Sequence, residues 1–312
     1  MREKNPAVSV IIPTYNRHRL LSQAIESVLN QSHEDYELLV IDDASEKPPD
    51  SIIQSYSDSR IRYIKKDKNE GACKARNTGI RKSCGEFIAF LDSDDIWEPD
   101  KLTKQLEVFK NNPGVGVVYT GTKIVRQNRE YIGHIPSERG NIFRKQLLRD
   151  QVAPTSAVMV RKSCFDRVGM FDPSLPARQD YDMWIRLSRE FDFDFVKYPL
   201  TIIHRSHTGR ISNNINSRIE AQLKLLKKLN KEFHIMSKPY RNKVIASQYT
   251  SIGRYTWFQK EYQVSRHFLF KSLVKYPFIL ETWMVLVFSV LQISSDNRYL
   301  NKINNIIKSR KT

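Results

Sequence analysis

Short apolar runs and helical stretches take turns along the first third of the chain. Residues 8–13 form an apolar, β-branched run, and residues 19–30 then place Leu20, Leu21, Ala24, Ile25 and Val28 on one face of a helix. The alternation continues with strands over 36–41, 61–64, 87–91 and 115–119, and with helices over 51–56, 71–83 and 99–111. Strands alternating with helices predict an α/β fold whose mostly parallel sheet is covered on both faces. The middle of the chain is more mixed. Residues 121–150 are polar and read as loop-rich, 156–161 as a strand, and 181–190 as a helix with Trp184, Ile185 and Leu187 inward. Residues 193–199 and 200–204 read as two extended segments, and beyond about residue 213 the pattern is helical. No short repeat and no low-complexity tract interrupts it.

Charge sets the last third apart. A chain of 312 residues holds one large domain with an appendage, or two domains. Residues 212–312 carry 18 Lys and Arg against 5 Asp and Glu, a net of +13 out of the chain's +17. That asymmetry points to an anionic partner such as nucleic acid or a membrane surface. Leu223, Leu225, Leu226 and Leu229 lie among Lys224, Lys227, Lys228 and Lys231, and Trp257, Phe258, Tyr262, Phe268, Phe270 and Tyr276 add aromatics. Basic amphipathic helices of this kind lie on anionic lipid. Residues 277–291 are strongly apolar, but they fall short of the roughly 20 residues a spanning helix needs, and Glu281 interrupts them. They predict a buried or interfacial helix. No nucleic-acid motif is present, so a membrane surface is the expected partner and nucleic acid is not. Cys73, Cys84 and Cys164 have neither disulfide nor metal spacing, which reads as thiols in a reducing compartment. The N-terminus has no apolar signal region. The expected location is cytoplasmic, peripheral on the inner face of the plasma membrane.

Three polar clusters follow apolar strands directly: residues 13–17 (Pro-Thr-Tyr-Asn-Arg), Asp42-Asp43, and Asp92-Ser93-Asp94-Asp95. In an open α/β sheet, ligands bind outside the carboxyl ends of strands, so the clusters are expected to converge. Asp92 and Asp94 are two apart and would share a side of an extended backbone. Closely spaced carboxylates suit a hard divalent cation whose other ligands are substrate phosphates. For Asp95 the expected role is to cap the following helix.

These blocks resemble the inverting family 2 glycosyltransferases of GT-A fold. The resemblance rests on Val8–Arg17, Val40–Ser45, Asn69–Ile80 and Phe90–Asp95, then Val168–Asp172 with Arg178–Leu187, and covers roughly residues 7–210. It implies a GT-A (Rossmann-like) catalytic domain over 1–212, with a nucleotide-binding half at 1–110 and an acceptor half at 111–212. Residues 213–312 would be a helical extension. It also implies a nucleoside-diphosphate-sugar donor. Pro13, Thr14, Tyr15, Asn16, Asn69 and Ser93 would line the donor pocket, with Tyr15 stacking on the base. Asp43 would accept a base imide N–H, which favours uridine and leaves guanosine and thymidine open; Asp42 would orient the loop. Arg76 would face the nucleotide or its phosphates. Asp92 would contact ribose or metal, and Asp94 would ligate Mn²⁺ or Mg²⁺, both takers of oxygen ligands. Asp180 matches the general base, with Asp182 a weaker candidate. Asp180 would also suit the N-cap of the 181–190 helix. Here the chain departs from the family's Glu-Asp pair, because Gln179 precedes Asp180. The run 204–212 resembles the loop that closes over the diphosphate, with His207 on the metal and Arg205 or Arg210 on phosphate.

The implied activity is metal-assisted transfer to a hydroxyl of a glycan or lipid-linked acceptor, in surface polysaccharide or glycoconjugate biosynthesis. Specificity would depend on loops at 121–155 and 170–180. Two other readings compete. A sugar nucleotidyltransferase needs a glycine-rich loop after the first strand, and residues 13–17 have no glycine. A non-catalytic membrane or nucleic-acid-binding protein on the same fold would not need to keep Asp43, Asp92, Asp94 and Asp180.

Overall fold

The computed structural model describes residues 5–126, 129–152, 154–205 and 214–293. β1 (Val8–Thr14), α1 (His18–Leu29), β2 (Tyr36–Asp42), α2 (Asp50–Ser55), β3 (Ile61–Lys65), α3 (Ala72–Lys82) and β4 (Phe87–Phe90) follow in the expected order. They continue with β5 (Asp95–Trp97), α4 (Lys101–Asn111), β6 (Val115–Arg126), β7 (Arg129–Ile132), α5 (Phe143–Leu148), β8 (Val158–Arg161), α6 (Cys164–Val168), α7 (Gln179–Glu190) and β9 (Asp192–His204). The strands form one sheet in the order β3-β2-β1-β4-β8-β6-β9-β5, with β7 alongside β6. β1 to β4 pair in parallel, as do β6 and β9. β5, β7 and β8 run against their neighbours, so six of the nine described strands share one direction.

The apolar runs are continuous because both faces of the sheet are buried. Val8, Val10 and Ile12 of β1 pack with Leu38 and Val40 against Leu21, Ala24, Ile25 and Val28 of α1 and Leu102 and Phe109 of α4. Ile11, Leu39, Ile41, Ile88 and Phe90 face the other way, onto Ala75 and Ile80 of α3, Phe165 of α6 and Trp184 and Leu187 of α7. α3 lies so close to β1 that a Cβ on Gly79 would stand 2.5 Å from Ile11 Cγ2.

The expected loop-rich segment at 121–150 instead contains the far half of β6, β7 and α5. There the sheet runs past its core: β6 is buried through Thr122 and then opens, and β7 is exposed along its length. The apolar signal stops where burial stops, while the ladder goes on. The two extended segments at 193–204 are one strand, β9. Its register against β6 shifts on either side of Gly121, whose partner is Pro199. Proline has no N–H for the ladder, which explains both the irregularity and the apparent break.

A second compact unit contains α8 (Ile215–Leu229), α9 (Lys238–Phe258), α10 (Tyr262–Lys275) and α11 (Leu280–Val290), together with Leu147–Arg149 and Pro176–Arg178. Its interior is partly polar. Thr250 Oγ1 lies 2.9 Å from Ser272 Oγ and 2.7 Å from Thr282 Oγ1, and Gln248 Nε2 donates to Leu147 O. α11 buries Thr282, Val285 and Ser289 and turns Leu280, Trp283, Val287 and Val290 outward. Among the described residues, no helix is long and apolar enough to cross a membrane.

Candidate functional site

β1 is the switch point of the sheet: β2 and β3 lie on one side of it and β4 on the other. The loops leaving β1 and β4 therefore diverge and open a crevice at the carboxyl edge. All three predicted clusters stand on this edge. Pro13 and Thr14 are buried at the end of β1, while Tyr15 is 39% exposed and available for stacking. Asn16 ties this loop to the one after β2: its N–H donates to Ser45 Oγ (2.9 Å), and its Oδ1 accepts the Glu46 N–H (3.0 Å). Asn16 (φ 52°) and Ala44 (φ 62°) both occupy the left-handed region, a strained choice for non-glycine residues that clusters at functional sites.

The two aspartates after β2 have separate tasks. Asp42 is fully buried, and its carboxylate accepts the Ser45 N–H (3.0 Å), the Ser45 hydroxyl (2.6 Å) and the Tyr63 hydroxyl (2.7 Å). It shapes the loop. Burial first, and then this carboxylate, hold the Tyr63 hydroxyl well above the ordinary tyrosine pKa. Asp43 accepts from Lys66 Nζ and from the N–H groups of Glu70 and Gly71. Gly71 has φ +87°, a conformation side-chain-bearing residues rarely adopt, and its N–H leads into α3. The carboxylate thus lies at a helix N-terminus, where the dipole favours negative charge. Asn69 Oδ1 accepts the Gly71 N–H (3.2 Å), so it holds its own turn.

Arg76 lies one turn into α3, is 9% exposed and pairs with Asp92. Burial would lower this guanidinium, but the charges of Asp92 and then Asp180 outweigh it and raise its pKa. Asp180 therefore shares the electrostatic neighbourhood of the Arg76–Asp92 pair. Arg76 Nε is buried without a hydrogen-bond partner among the described residues, an uncommon state that marks a place for an acceptor.

The acidic run after β4 differs from its expected form. Asp95 N–H donates to Asp92 O (2.9 Å), so residues 92–95 make a turn, not an extended strand. Asp92 meets Arg76 from α3, and Asp94 meets Arg17 from the β1 loop at 3.0 Å. Asp95 is not a helix cap. It is buried at the start of β5, and its Oδ2 accepts the Ser156 hydroxyl (2.6 Å). Ser156 Oγ accepts the Asp92 N–H in turn (3.1 Å). Ser93 is buried beside them.

α7 begins at Gln179, so Asp180 occupies its first turn and is not the N-cap. Gln179 Nε2 donates to Leu175 O (2.8 Å). Asp182 is almost fully buried and paired with Arg186 (2.9 Å), which also donates to Val168 O and Met170 O. It clamps the 168–170 turn to α7 and is poorly placed to serve as a base. Asn77 adds a second clamp: its Nδ2 donates to Phe171 O (2.8 Å), and its Oδ1 accepts the Phe171 N–H (3.0 Å). Arg205 extends the β6–β9 ladder, its N–H on Val125 O (2.9 Å). His207 and Arg210 lie outside the described residues.

Arg17, Lys66, Asn77 and Ser156 were not singled out from sequence. Arg17 and Asn77 stand inside the motif blocks, and that was the available signal. Lys66 and Ser156 carry none, because they reach the site through strand pairing. For a divalent cation, Asp94 and the half-exposed Asp92 offer hard oxygen donors. Among the described residues, no group of three His, Cys, Asp or Glu side chains converges to hold a metal. One or two carboxylates fit Mg²⁺ or Mn²⁺ recruited together with a diphosphate.

Comparison with known proteins agrees with this geometry. A family model, Glycosyl transferase family 2, matches residues 9–169. TuaG of Bacillus subtilis, a glycosyltransferase named for teichuronic acid biosynthesis, is 32% identical over 192 residues, 61% of this chain and 75% of TuaG. An uncharacterized glycosyltransferase of Rickettsia bellii is 33% identical over 224 residues, 69% of this chain. The match spans only 32% of that relative's length, and 38% of a similar Rickettsia felis protein. The Staphylococcus aureus TarS 1–349 structure superposes with a TM-score of 0.63 at 18% identity, over 86% of this chain and 81% of TarS. Another structure of that protein is a complex with UDP-GlcNAc. The Pyrobaculum calidifontis mannosyltransferase PcManGT, in complex with GDP-Man and Mn²⁺, gives 0.60 at 16% identity, over 94% of this chain and 82% of that one. At such identities the likeness is one of fold, and that fold is GT-A. The matched family model and the TuaG alignment carry the identification: this chain belongs to glycosyl transferase family 2.

Proposed function

We propose that the chain transfers a glycosyl group, with inversion, from a UDP-sugar to a hydroxyl of a glycan or lipid-linked acceptor, with Asp180 as general base. The observation that carries this reading is the shared charge neighbourhood of Arg76, Asp92 and Asp180 at the switch point of the sheet. In this reading Pro13, Thr14, Tyr15, Asn16, Asn69 and Ser93 line the donor pocket. Asp43 would accept the uracil imide N–H in exchange for one of the donors now on its carboxylate, Lys66 Nζ and the N–H groups of Glu70 and Gly71. Arg76 directs its spare Nε–H to a phosphate oxygen, a charge-assisted bond. Arg205 and Arg210 serve the same diphosphate.

Asp94, with Asp92 and His207, would hold Mn²⁺ or Mg²⁺, which supplies charge neutralisation for the departing diphosphate. The acceptor oxygen attacks the anomeric carbon from the face opposite the diphosphate. As the new glycosidic bond forms and the bond to the diphosphate oxygen breaks, the hydroxyl proton passes to the Asp180 carboxylate. Gln179 adds no second charge beside that carboxylate. The donor complexes of TarS and PcManGT and the name of TuaG support the donor class and a surface-polymer pathway.

In the same reading, residues 1–212 are the catalytic domain and 213–312 hold it on anionic lipid at the inner face of the plasma membrane. Phe270, Val274, Phe278, Leu280, Val290 and Leu291 are each more than half exposed, with Lys271 and Lys275 among them. Sedimentation with anionic but not neutral vesicles is the expected result.

The deciding experiment is Asp180→Asn, assayed with Mn²⁺ against a panel of nucleoside-diphosphate sugars. Donor binding should persist while transfer falls by about 10²–10⁴-fold. Unchanged turnover would refute the assignment.

A further inference from the structure

Arg17 has no role in the proposed donor and metal reading. Its guanidinium lies 3.0 Å from Asp94, whose side chain is only 6% exposed, whereas Arg17 itself is 30% exposed. A carboxylate so removed from water needs a compensating cation. The loop after β1 supplies one. We infer that Arg17 is an exchangeable counter-ion. It neutralises Asp94 in the free protein and transfers to the donor's diphosphate when a divalent cation takes its place. This rests on the proposed donor and metal reading and adds the order in which the charges must be exchanged.

A dication arriving alone must break the Arg17–Asp94 pair and leave the guanidinium beside a like charge. A dication arriving with a diphosphate gives both cations an anionic partner at once. Arg17 therefore couples metal binding to nucleotide binding, beyond any direct metal–phosphate ligation. Such coupling is reciprocal: each ligand strengthens the other by the same factor. It also keeps Asp94 charge-compensated between turnovers.

The test is a binding cycle on the full chain with Mn²⁺ and UDP as probes. Free Mn²⁺ is read by its electron paramagnetic resonance signal, with and without UDP, and UDP by calorimetry, with and without Mn²⁺. Wild type should bind Mn²⁺ weakly alone and at least about tenfold more tightly with UDP. In Arg17→Gln, Mn²⁺ alone should bind about tenfold more tightly than in wild type, because the competing cation is gone. The coupling factor should drop by a similar amount. Arg17→Lys, which keeps a cation facing Asp94, should retain most of the coupling. A bystander charge would shift Mn²⁺ affinity equally with and without UDP, so an unchanged coupling factor in Arg17→Gln overturns the inference while leaving the donor site intact. Failure of wild type to bind UDP with Mn²⁺ overturns the donor reading itself, and the inference with it.

Discussion

Asn77 offers the sharpest check on how the site is held together. Its amide bridges α3 to Phe171 with two hydrogen bonds, of 2.8 and 3.0 Å, across 94 positions of sequence. Both residues are buried, at 7% and 2% exposure. Phe171 meets Phe90 edge-on at 5.4 Å and Trp184 at 6.2 Å, and the Arg76 guanidinium lies 5.8 Å from its ring. The bridge therefore fixes the surface on which Arg76 rests. Asn77→Ala removes both bonds and strands a backbone N–H and a carbonyl away from water. Two bonds at about 1 kcal/mol net, plus the cost of the groups left unpaired, give a loss of about 2–4 kcal/mol.

Asn77→Asp sharpens the test. It keeps an acceptor for the Phe171 N–H but sets a carboxylate oxygen against the Phe171 carbonyl, so it should cost at least as much as Ala. Urea denaturation followed by tryptophan fluorescence suits the measurement, since Trp184 is fully buried in the same cluster. The midpoint should fall in both variants with little change in slope. A shift below about 0.5 kcal/mol in both, the range of ordinary surface substitutions, would refute the claim that this bridge carries stability.

Two other outcomes follow from packing and charge. Gly79→Ala would gain about 1 kcal/mol in an open helix, but its Cβ would stand 2.5 Å from Ile11 Cγ2. Overpacking at roughly 1–3 kcal/mol should win, so a lower melting temperature is expected and a higher one would show that α3 can move off β1. Glu37 is pushed up by burial, but the Ser9 hydroxyl, the Cys84 N–H and Arg62 more than offset this and hold it below the ordinary value of 4.5. Its folded pKa is thus depressed, so its contribution is present above about pH 4.5 and lost as pH falls through the folded value. Glu37→Gln should flatten the acid limb of a melting-temperature profile, and an unchanged limb would count against the assignment.

What was legible from sequence is what depends on local pattern. The strands β1, β2 and β4 read clearly because both faces of the sheet are buried, so most of their positions are apolar. The clusters at their ends read clearly because polarity changes abruptly there. The parts that were missed have non-local causes. β5 is three residues long and exists only through its pairing with β9. The far half of β6 is a strand by its ladder, not by its side chains. Pro199 made one strand look like two. Asp95 looked like a solvated cap because the hydroxyl that satisfies it comes from Ser156, 61 positions away.

The partners of the acidic residues show the same limit more sharply. Sequence placed Asp43, Asp92 and Asp94 at one edge of the sheet and read them as waiting for ligands. The structure gives each an internal cation: Lys66 for Asp43, Arg76 for Asp92 and Arg17 for Asp94. These cations come from the end of β3, from α3 and from the β1 loop, which meet only because β2, β1 and β4 are neighbours. Asp43 and Asp94 are buried, and carboxylates so removed from water would be costly if left bare. With each one paired, the crevice is a set of ion pairs, and a ligand rich in negative oxygen can open such pairs by offering the cations a better partner. If the proposed donor reading holds, recognition would be an exchange of counter-charges, and UDP affinity measured by calorimetry should weaken as any one of the three cations is neutralised; unchanged affinity in all three neutralised variants would refute it.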